Sequence, residues 1–312
     1  MKLYGATMLR NEADIVEPFV RHNLTALDGL IVVDHGSQDG TSEILAALVA
    51  EGLPIEVEHD ASVGYLQSEI MTRTARRLFA ERGADFVFAL DADEFLKVPS
   101  RRLLEDTLER VPSAMHAAMQ WQTYVADYRP GTPSNVLALA TRRLAQERHG
   151  LFKVIVARCL AESPDAVIAG GNHVVLPSAG HSLAKQPLKH ARVSPSAVAL
   201  AHLPVRSARQ LVNKILIGWL AHCAARRSNP DLAFHWRELY HEISNGHELT
   251  PARLAMIAAN YGLPMNAWLA AESLALIDDP LPVGEVRYSH LARQETLPLV
   301  LKFAERLALS SH

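Results

Sequence analysis

Several things that would settle the class of this 312-residue chain early are missing from it. It has two cysteines, Cys159 and Cys223, far apart and without a CxxC partner. That spacing excludes a disulfide framework and a thiolate zinc site, and it suits a reducing compartment. The formal net charge of −3 leaves no basic footprint, so nucleic acid is not an expected partner. No apolar run is long enough to span a bilayer: the stretches around 215–225 and 267–277 are interrupted by His222 and Glu272. No G-x-G-x-x-G follows the first strand signal and no P-loop is present, which disfavours a Rossmann dinucleotide site and a Walker-type NTPase. Arg10, Asn11 and Glu12 break the N-terminal apolar stretch, so no secretory signal is expected. The cytoplasm is the expected address, with peripheral docking at the inner membrane face left open. There is no internal repeat and no low-complexity segment.

What is present reads as an ordinary globular protein, 49% hydrophobic and 21% charged. Its length suits one large domain or a main domain with an appendage. Residues 1 to about 100 alternate strand and helix signals, which predicts parallel βαβ units. Strands are expected at Leu3 to Leu9, Leu30 to Val33, Ile55 to His59 and Phe86 to Leu90. Between them lie helical patterns at Asn11 to Ala26, with Pro18 inside, at Thr41 or Ser42 to Val49, and at Gln67 to Arg82. The basic cluster Arg73, Arg76 and Arg77 on the last of these reads as solvated surface.

Three of the strands end in polar residues: Arg10, Asn11 and Glu12 after the first, Asp34 after the second, Asp91 after the fourth. In a parallel sheet these ends share one edge, where open α/β sheets bind ligands. Asp91, Asp93 and Glu94 follow the five apolar residues Phe86 to Leu90 directly. On an extended backbone Asp91 and Asp93 would point the same way. Like charges that close repel unless a cation lies between them, and oxygen ligands favour Mg²⁺ or Mn²⁺. A helix cap or solvated turn is the plain alternative for the same residues.

Beyond residue 114 the strand signals are Met115 to Tyr124, Phe152 to Arg158, Val174 to Leu176 and Val198 to Leu203, with mixed pairing expected. Pro130, Gly131, Pro133 and Ser134 mark a loop, and residues 177–195 form a connector containing His181 and Lys185. After Pro204 the chain turns helical: Arg206 to Arg227, Phe234 to Ile243, Pro251 to Asn260, Met265 to Ile277 and Leu297 to Leu309. Pro251 suits the first helical position behind Thr250 as N-cap. The expected organisation is a catalytic domain over 1–204 and a helical region over 205–312.

The order R-N-E after the first strand, V-V-D-H-G-S-Q-D-G-T after the second and D-A-D-E-F after the fourth resembles family 2 glycosyltransferases of the GT-A fold. It is similar in particular to the branch with D-x-D-E-F and a later histidine followed by a basic helix. The resemblance covers roughly residues 3 to 215. It implies an α/β fold of GT-A type, with a mostly parallel central sheet flanked by helices. It further implies transfer of a sugar from a nucleotide-sugar, UDP-linked as the first expectation, to an acceptor hydroxyl with inversion.

Residue by residue, the resemblance implies Asp34, Thr7, Arg10 and Glu12 for the nucleoside pocket. Asp39 belongs to the same loop, with a structural role as the alternative. Asp91 and Asp93 would hold Mn²⁺ or Mg²⁺ on the diphosphate, His202 would return to the metal or the diphosphate, and Arg206 and Lys214 would face the phosphates. A solvated helix face explains that last pair as well. Many members carry a second aspartate where this chain has His35, which loosens the expectation about the base. The usual Glu-Asp pair that supplies the catalytic base is not evident, so Glu94 and His173 are both candidates for activating the acceptor. Trp121 and Tyr124 either stack on an acceptor sugar or pack the core. Glycan, lipid-linked and protein acceptors are all compatible, as is a homo-oligomer. The competing classes are a nucleotidyltransferase, which would want a glycine-rich basic loop after the first strand, and a non-catalytic nucleotide-binding scaffold of the same fold.

Overall fold

The computed structural model describes residues 1–128, 135–178, 186–225, 234–293 and 295–310. The expected loop at Pro130, Gly131, Pro133 and Ser134, and His181 and Lys185 of the connector, lie outside them. The strands are β1 (Leu3–Leu9), β2 (Gly29–Asp34), β3 (Ile55–His59), β4 (Phe86–Leu90), β5 (Glu94–Lys97), β6 (His116–Thr123), β7 (Arg142–Leu144), β8 (Phe152–Ala157), β9 (Val167–Ile168), β10 (Val175–Leu176), β11 (His190–Arg192), β12 (Ala199–His202) and β13 (Leu276–Asp278). The α-helices are α1 (Val16–Asn23), α2 (Thr41–Ala50), α3 (Gln67–Arg77), α4 (Arg101–Leu108), α5 (Ala208–Ala224), α6 (Phe234–Ser244), α7 (Pro251–Ala259) and α8 (Thr296–Ser310).

One mixed sheet of nine strands runs β3-β2-β1-β4-β8-β6-β12-β5, with β11 also paired to β6. The β3-β2-β1-β4 half is parallel throughout, and β8 and β5 enter antiparallel. The fold class is therefore the one expected from the sequence: α/β, mostly parallel, flanked by helices and followed by a helical C-terminal region.

Burial on both faces follows from the period of two along each strand. Leu30 and Val32 pack with Phe19 of α1 and Leu45 of α2 on one face, while Ile31 and Val33 pack with Ile70 and Met71 of α3 on the other. No helix among the described residues is long and apolar enough to cross a membrane.

Four local expectations change. α1 begins at Val16, not Asn11, so Pro18 falls in the first turn, where its missing N–H costs no intrahelical bond. Neither Thr41 nor Ser42 caps α2; the N-cap is Gly40 at φ 102°, and the Asp39 carboxylate accepts the Thr41 N–H at 3.1 Å. The helix expected over Met265 to Ile277 is two single turns, Met265–Ala267 and Ala271–Ser273, followed by β13 paired to β7. The buried Asn260 carboxamide explains this: it donates to the Leu269 carbonyl and accepts the Leu269 N–H, which holds that residue out of a helix. Finally, Arg76 and Arg77 are not merely solvated. Arg76 donates to the carbonyls of Ser163, Pro164 and Ala166, and Arg77 pairs with Glu56 and Glu58 of β3.

Candidate active site

Parallel register brings the polar strand ends together: Leu9 lies opposite Asp34 and Thr7 opposite Leu90. At the far side, His202 at the end of β12 lies opposite both Thr123 and Glu94. α5 starts just beyond, capped by the Ser207 hydroxyl, which accepts the Gln210 N–H. Thus Arg206 and Lys214 reach an edge built more than a hundred residues earlier.

Asp91 and Asp93 do not sit on an extended backbone. Residues 91–93 form a turn in which the Glu94 N–H donates to the Asp91 carbonyl at 3.1 Å. The two side chains go to different neighbours. Asp91 accepts from Lys153 Nζ at 2.6 Å, Gln67 Nε2 at 2.7 Å and Asn172 Nδ2 at 3.0 Å. Asp93, buried, pairs with Lys214 and lies 3.7 Å from His202 Nε2.

Among the described residues no group of three or more His, Cys, Asp or Glu side chains is placed to hold a metal ion. Three donors fill most of the roughly four lone-pair sites of Asp91, and each aspartate already has its own ammonium. In these residues the two carboxylates make two separate carboxylate–ammonium pairs, and Asp91, Asp93 and His202 are the side chains that would hold Mn²⁺ or Mg²⁺. Burial alone would raise the Asp93 carboxyl, but the cations Lys214 and Arg206 outweigh it and hold it below the usual range. Burial lowers Lys214, and Asp93 more than reverses this, so the ammonium keeps its charge. His202 is pushed well below its ordinary value by burial, so it is neutral.

The nucleoside-pocket candidates divide. Asp34 is buried, with one oxygen accepting the Ser37 N–H at 2.9 Å and the other the Ser42 hydroxyl. Asp39 is consumed by its loop: it accepts from Thr41 N–H, from the Thr41 hydroxyl at 2.5 Å and from Ala13 N–H at 3.0 Å. Thr7 lies inside β1, wholly buried, with Oγ1 unpartnered. Arg10 donates to the carbonyls of His35, Ser62 and Val63 and stacks on Phe303 of α8 at 5.2 Å. Glu12, raised to about 7 by burial despite Arg206, pairs with Arg206, which also donates to Asp14 at 2.7 Å. Arg206 thus ties the first strand's end to α5, and its Nη1 remains buried without a partner.

A cleft of about 350 Å³ opens at the ends of β2 and β3, with Asp34, Ser37, Ser42, His59, Asp60 and Arg306 among its walls. That volume is within the ordinary range for small-molecule sites.

The two base candidates are also unlike. Glu94 has no exposed surface: Oε2 accepts the Asp91 N–H at 2.8 Å and Oε1 lies 2.8 Å from Lys153 Nζ. Burial, then Asp91 and Asp93, raises it to about 8, so it holds its own proton at neutral pH. His173 is half-buried and its Nδ1 is 2.9 Å from the Phe152 carbonyl. A carbonyl only accepts, so Nδ1 carries the hydrogen and Nε2 keeps the lone pair. Burial and Lys153 lower it to about 4, so the imidazole is neutral. Its ring stacks on Trp121 at 5.4 Å, and Trp121 meets His202 edge-on at 4.3 Å. Trp121 and Tyr124 are both buried core residues, 4% and 0% exposed.

Lys153 was missed by sequence reasoning, as were Gln67 and Asn172. Lys153 had a signal: it is the lone charge in the strand run F-K-V-I-V, and it is 1% exposed between Asp91 and Glu94. Burial lowers it, but the two acids outweigh this and hold it above its ordinary value. Asn172 stands at φ 58° after Gly171, a backbone that turns its carboxamide onto Asp91.

No protein-family profile and no curated protein matches the chain. Among solved structures it is similar to S. aureus TarS 1–349, with 14% identity, 85% of this chain and 76% of that chain covered, and a TM-score of 0.38. It is similar to the mannosyltransferase PcManGT from Pyrobaculum calidifontis in complex with GDP-Man and Mn²⁺, with 17% identity, coverage of 85% and 77%, and a TM-score of 0.39. A third is glucosyl-3-phosphoglycerate synthase from Mycobacterium tuberculosis with Mn²⁺ and UDP, with 19% identity, coverage of 42% and 45%, and a TM-score of 0.26. At these scores the likenesses carry no weight for substrate or chemistry.

Proposed function

We propose that this protein is a glycosyltransferase that moves a sugar from a nucleoside diphosphate sugar to an acceptor hydroxyl. The observation that carries the reading is a set of buried polar atoms without partners on side chains around the two aspartates after β4. They are Arg206 Nη1, His202 Nδ1, Trp121 Nε1 and Asn172 Oδ1. Buried polar groups are normally satisfied; Asn172 bonds Asp91, His202 lies 3.7 Å from Asp93, Arg206 helps hold Asp93 ionised and Trp121 packs on His202, which fits a site completed by a hydroxyl-rich ligand.

In this reading the nucleoside lies toward the end of β2 and the diphosphate faces Lys214. As the anomeric bond breaks, the diphosphate gains charge, and a fixed ammonium in a dry site lowers that barrier. Asp93 orients Lys214, and Arg206 holds α5 against Glu12 and Asp14. His173 Nε2 takes the acceptor proton, and Trp121 packs behind the His173 ring and holds it in place. The donor is UDP-linked and the outcome inverting; both rest on the sequence resemblance alone. The acceptor is a glycan, a lipid-linked sugar or a protein.

Lys214 is a fixed cation of the protein's own, and Mn²⁺ or Mg²⁺, where one is used, would be held by Asp91, Asp93 and His202 and would add positive charge at the diphosphate. A screen of UDP- and GDP-sugars, reading nucleoside diphosphate release with Mn²⁺, with Mg²⁺ and with EDTA, tests all of this at once. Release from at least one donor, reduced by Lys214→Ala, is expected; no release from any donor under any of the three conditions sinks the proposal.

A further inference from the structure

The C-terminal helix closes over the loop that follows β2. Arg306 of α8 donates through Nη1 to the Gly36 carbonyl at 2.7 Å and through Nη2 to the Ala61 carbonyl at 2.9 Å. Gly36 and Ala61 both line the cleft, one in the loop after β2 and the other after β3. A Cβ at Gly36 would lie 2.4 Å from Arg306 Nη1, so the guanidinium rests directly on that backbone. Nearby, the Arg293 N–H donates to the Asp39 carbonyl at 2.6 Å, and Phe303 stacks on Arg10. Phe303 and Leu299 are themselves buried against Ile217 and Ala221 of α5. The position of Arg306 is therefore fixed from two sides, as a recognition residue requires.

A guanidinium has five N–H donors and no acceptor. Two of its nitrogens already hold the cleft walls, and the group still lines the open volume together with Ser37, Ser42 and Asp60. Burial, then the proximity of Arg306, lowers Arg10 to about 10, so two cations stand close together at this end of the sheet. A ligand offering acceptor oxygens to Arg306 would relieve that repulsion.

We propose that Arg306 is a specificity residue for the nucleobase of the donor, contributed by the last helix and selecting bases that present a keto oxygen. Uracil and guanine offer such an oxygen and adenine offers an amino group in its place, which a donor-only guanidinium rejects. The inference rests on the donor reading above and adds that α8 is a wall of the donor site.

The test is calorimetric titration of the full chain with UDP, GDP, ADP and the free nucleosides, alongside thermal unfolding of each variant. Wild type is expected to bind UDP or GDP at least about tenfold more tightly than ADP, the size of one well-placed hydrogen bond to a charged donor. Arg306→Ala and Arg306→Lys are each expected to lose most of that preference. The loss should be as large for uridine or guanosine as for the diphosphate, because the contact is to the base. A merely structural Arg306 would weaken all ligands equally and leave the preference intact, and that result overturns the inference while the donor reading stands. Wild type that binds no nucleoside diphosphate overturns both.

Discussion

Lys153 illustrates how much a single side chain can settle. Its ammonium is the shared partner of Asp91 and Glu94 at 2.6 and 2.8 Å, in a strand with no other charge nearby. Removing one member of a buried ion pair leaves the others uncompensated, which typically costs about 3–5 kcal/mol. Lys153→Met is expected to fall in that range by urea denaturation at pH 7, chiefly because Asp91 loses its ammonium. An unchanged midpoint would show that the ammonium is not held there. Lys214 is a different case, because its side chain keeps 18% exposure and can face a ligand. Lys214→Ala is expected to lower kcat by on the order of 10²–10³, and to lower the thermal midpoint as well, because it leaves the buried Asp93 without its ammonium. Comparable losses in KM alone, with kcat intact, would make it a ground-state contact. His173→Ala should likewise reduce kcat more than nucleotide affinity, since its Nε2 is assigned to the acceptor and not to the donor.

Among the elements, the glycine-rich loop after β2 owes its sequence to a neighbour far along the chain. Gly40 has φ 102°, and a Cβ there would lie 2.1 Å from the Leu291 carbonyl oxygen. Gly52, at φ 81°, has nothing within 4 Å of the same position. Both substitutions to alanine carry the left-handed penalty of about 1–2 kcal/mol, but only Gly40→Ala also forces backbone apart. It is therefore expected to destabilise clearly more than Gly52→Ala in parallel denaturation curves, and to raise amide exchange at Arg293, whose N–H is held by Asp39. Equal losses at the two sites would mean that the segment near 291 is not docked as described. Sequence reading recognised this loop as a turn-rich signature; that its glycines also make room for the C-terminal segment could not be read from it. The apolar runs of β2 and β4 were legible for a simple reason, since both faces of those strands are buried. The short β7 and β13 were not, because three residues carry too little pattern and their pairing joins segments more than a hundred residues apart.

For the molecule as a whole, buried titratable groups shape the pH dependence. His35 and His116 are each 1% exposed, and burial, then Arg10 at the first and His190 at the second, lowers both to about 4. Unfolded, each titrates near 6.5. The unfolded chain thus binds more protons between about 4 and 6.5, and their contribution is lost as pH falls through that window. Glu12 and Glu94 act in the opposite sense. Burial raises them to about 7 and about 8, so the folded chain keeps protons that the unfolded chain releases above about 4.5, and that contribution is lost as pH rises. The two pairs offset one another between about pH 4.5 and 6.5, so the thermal midpoint is expected to stay nearly level there, to fall above about 6.5 where only the glutamates act, and to fall below about 4.5 where only the histidines do; a steady climb to pH 9 in differential scanning calorimetry would contradict these assignments. By itself the sequence determined the α/β class, four parallel strands to within a residue, and the one edge on which acids and bases would meet, because periodicity and strand direction are local properties. Only the tertiary structure decided who partners whom. Lys153 divides the acids after β4, Arg206 binds the end of β1, and Arg306 leans on Gly36. Each is a contact between residues 60 to 270 positions apart, which no local pattern encodes.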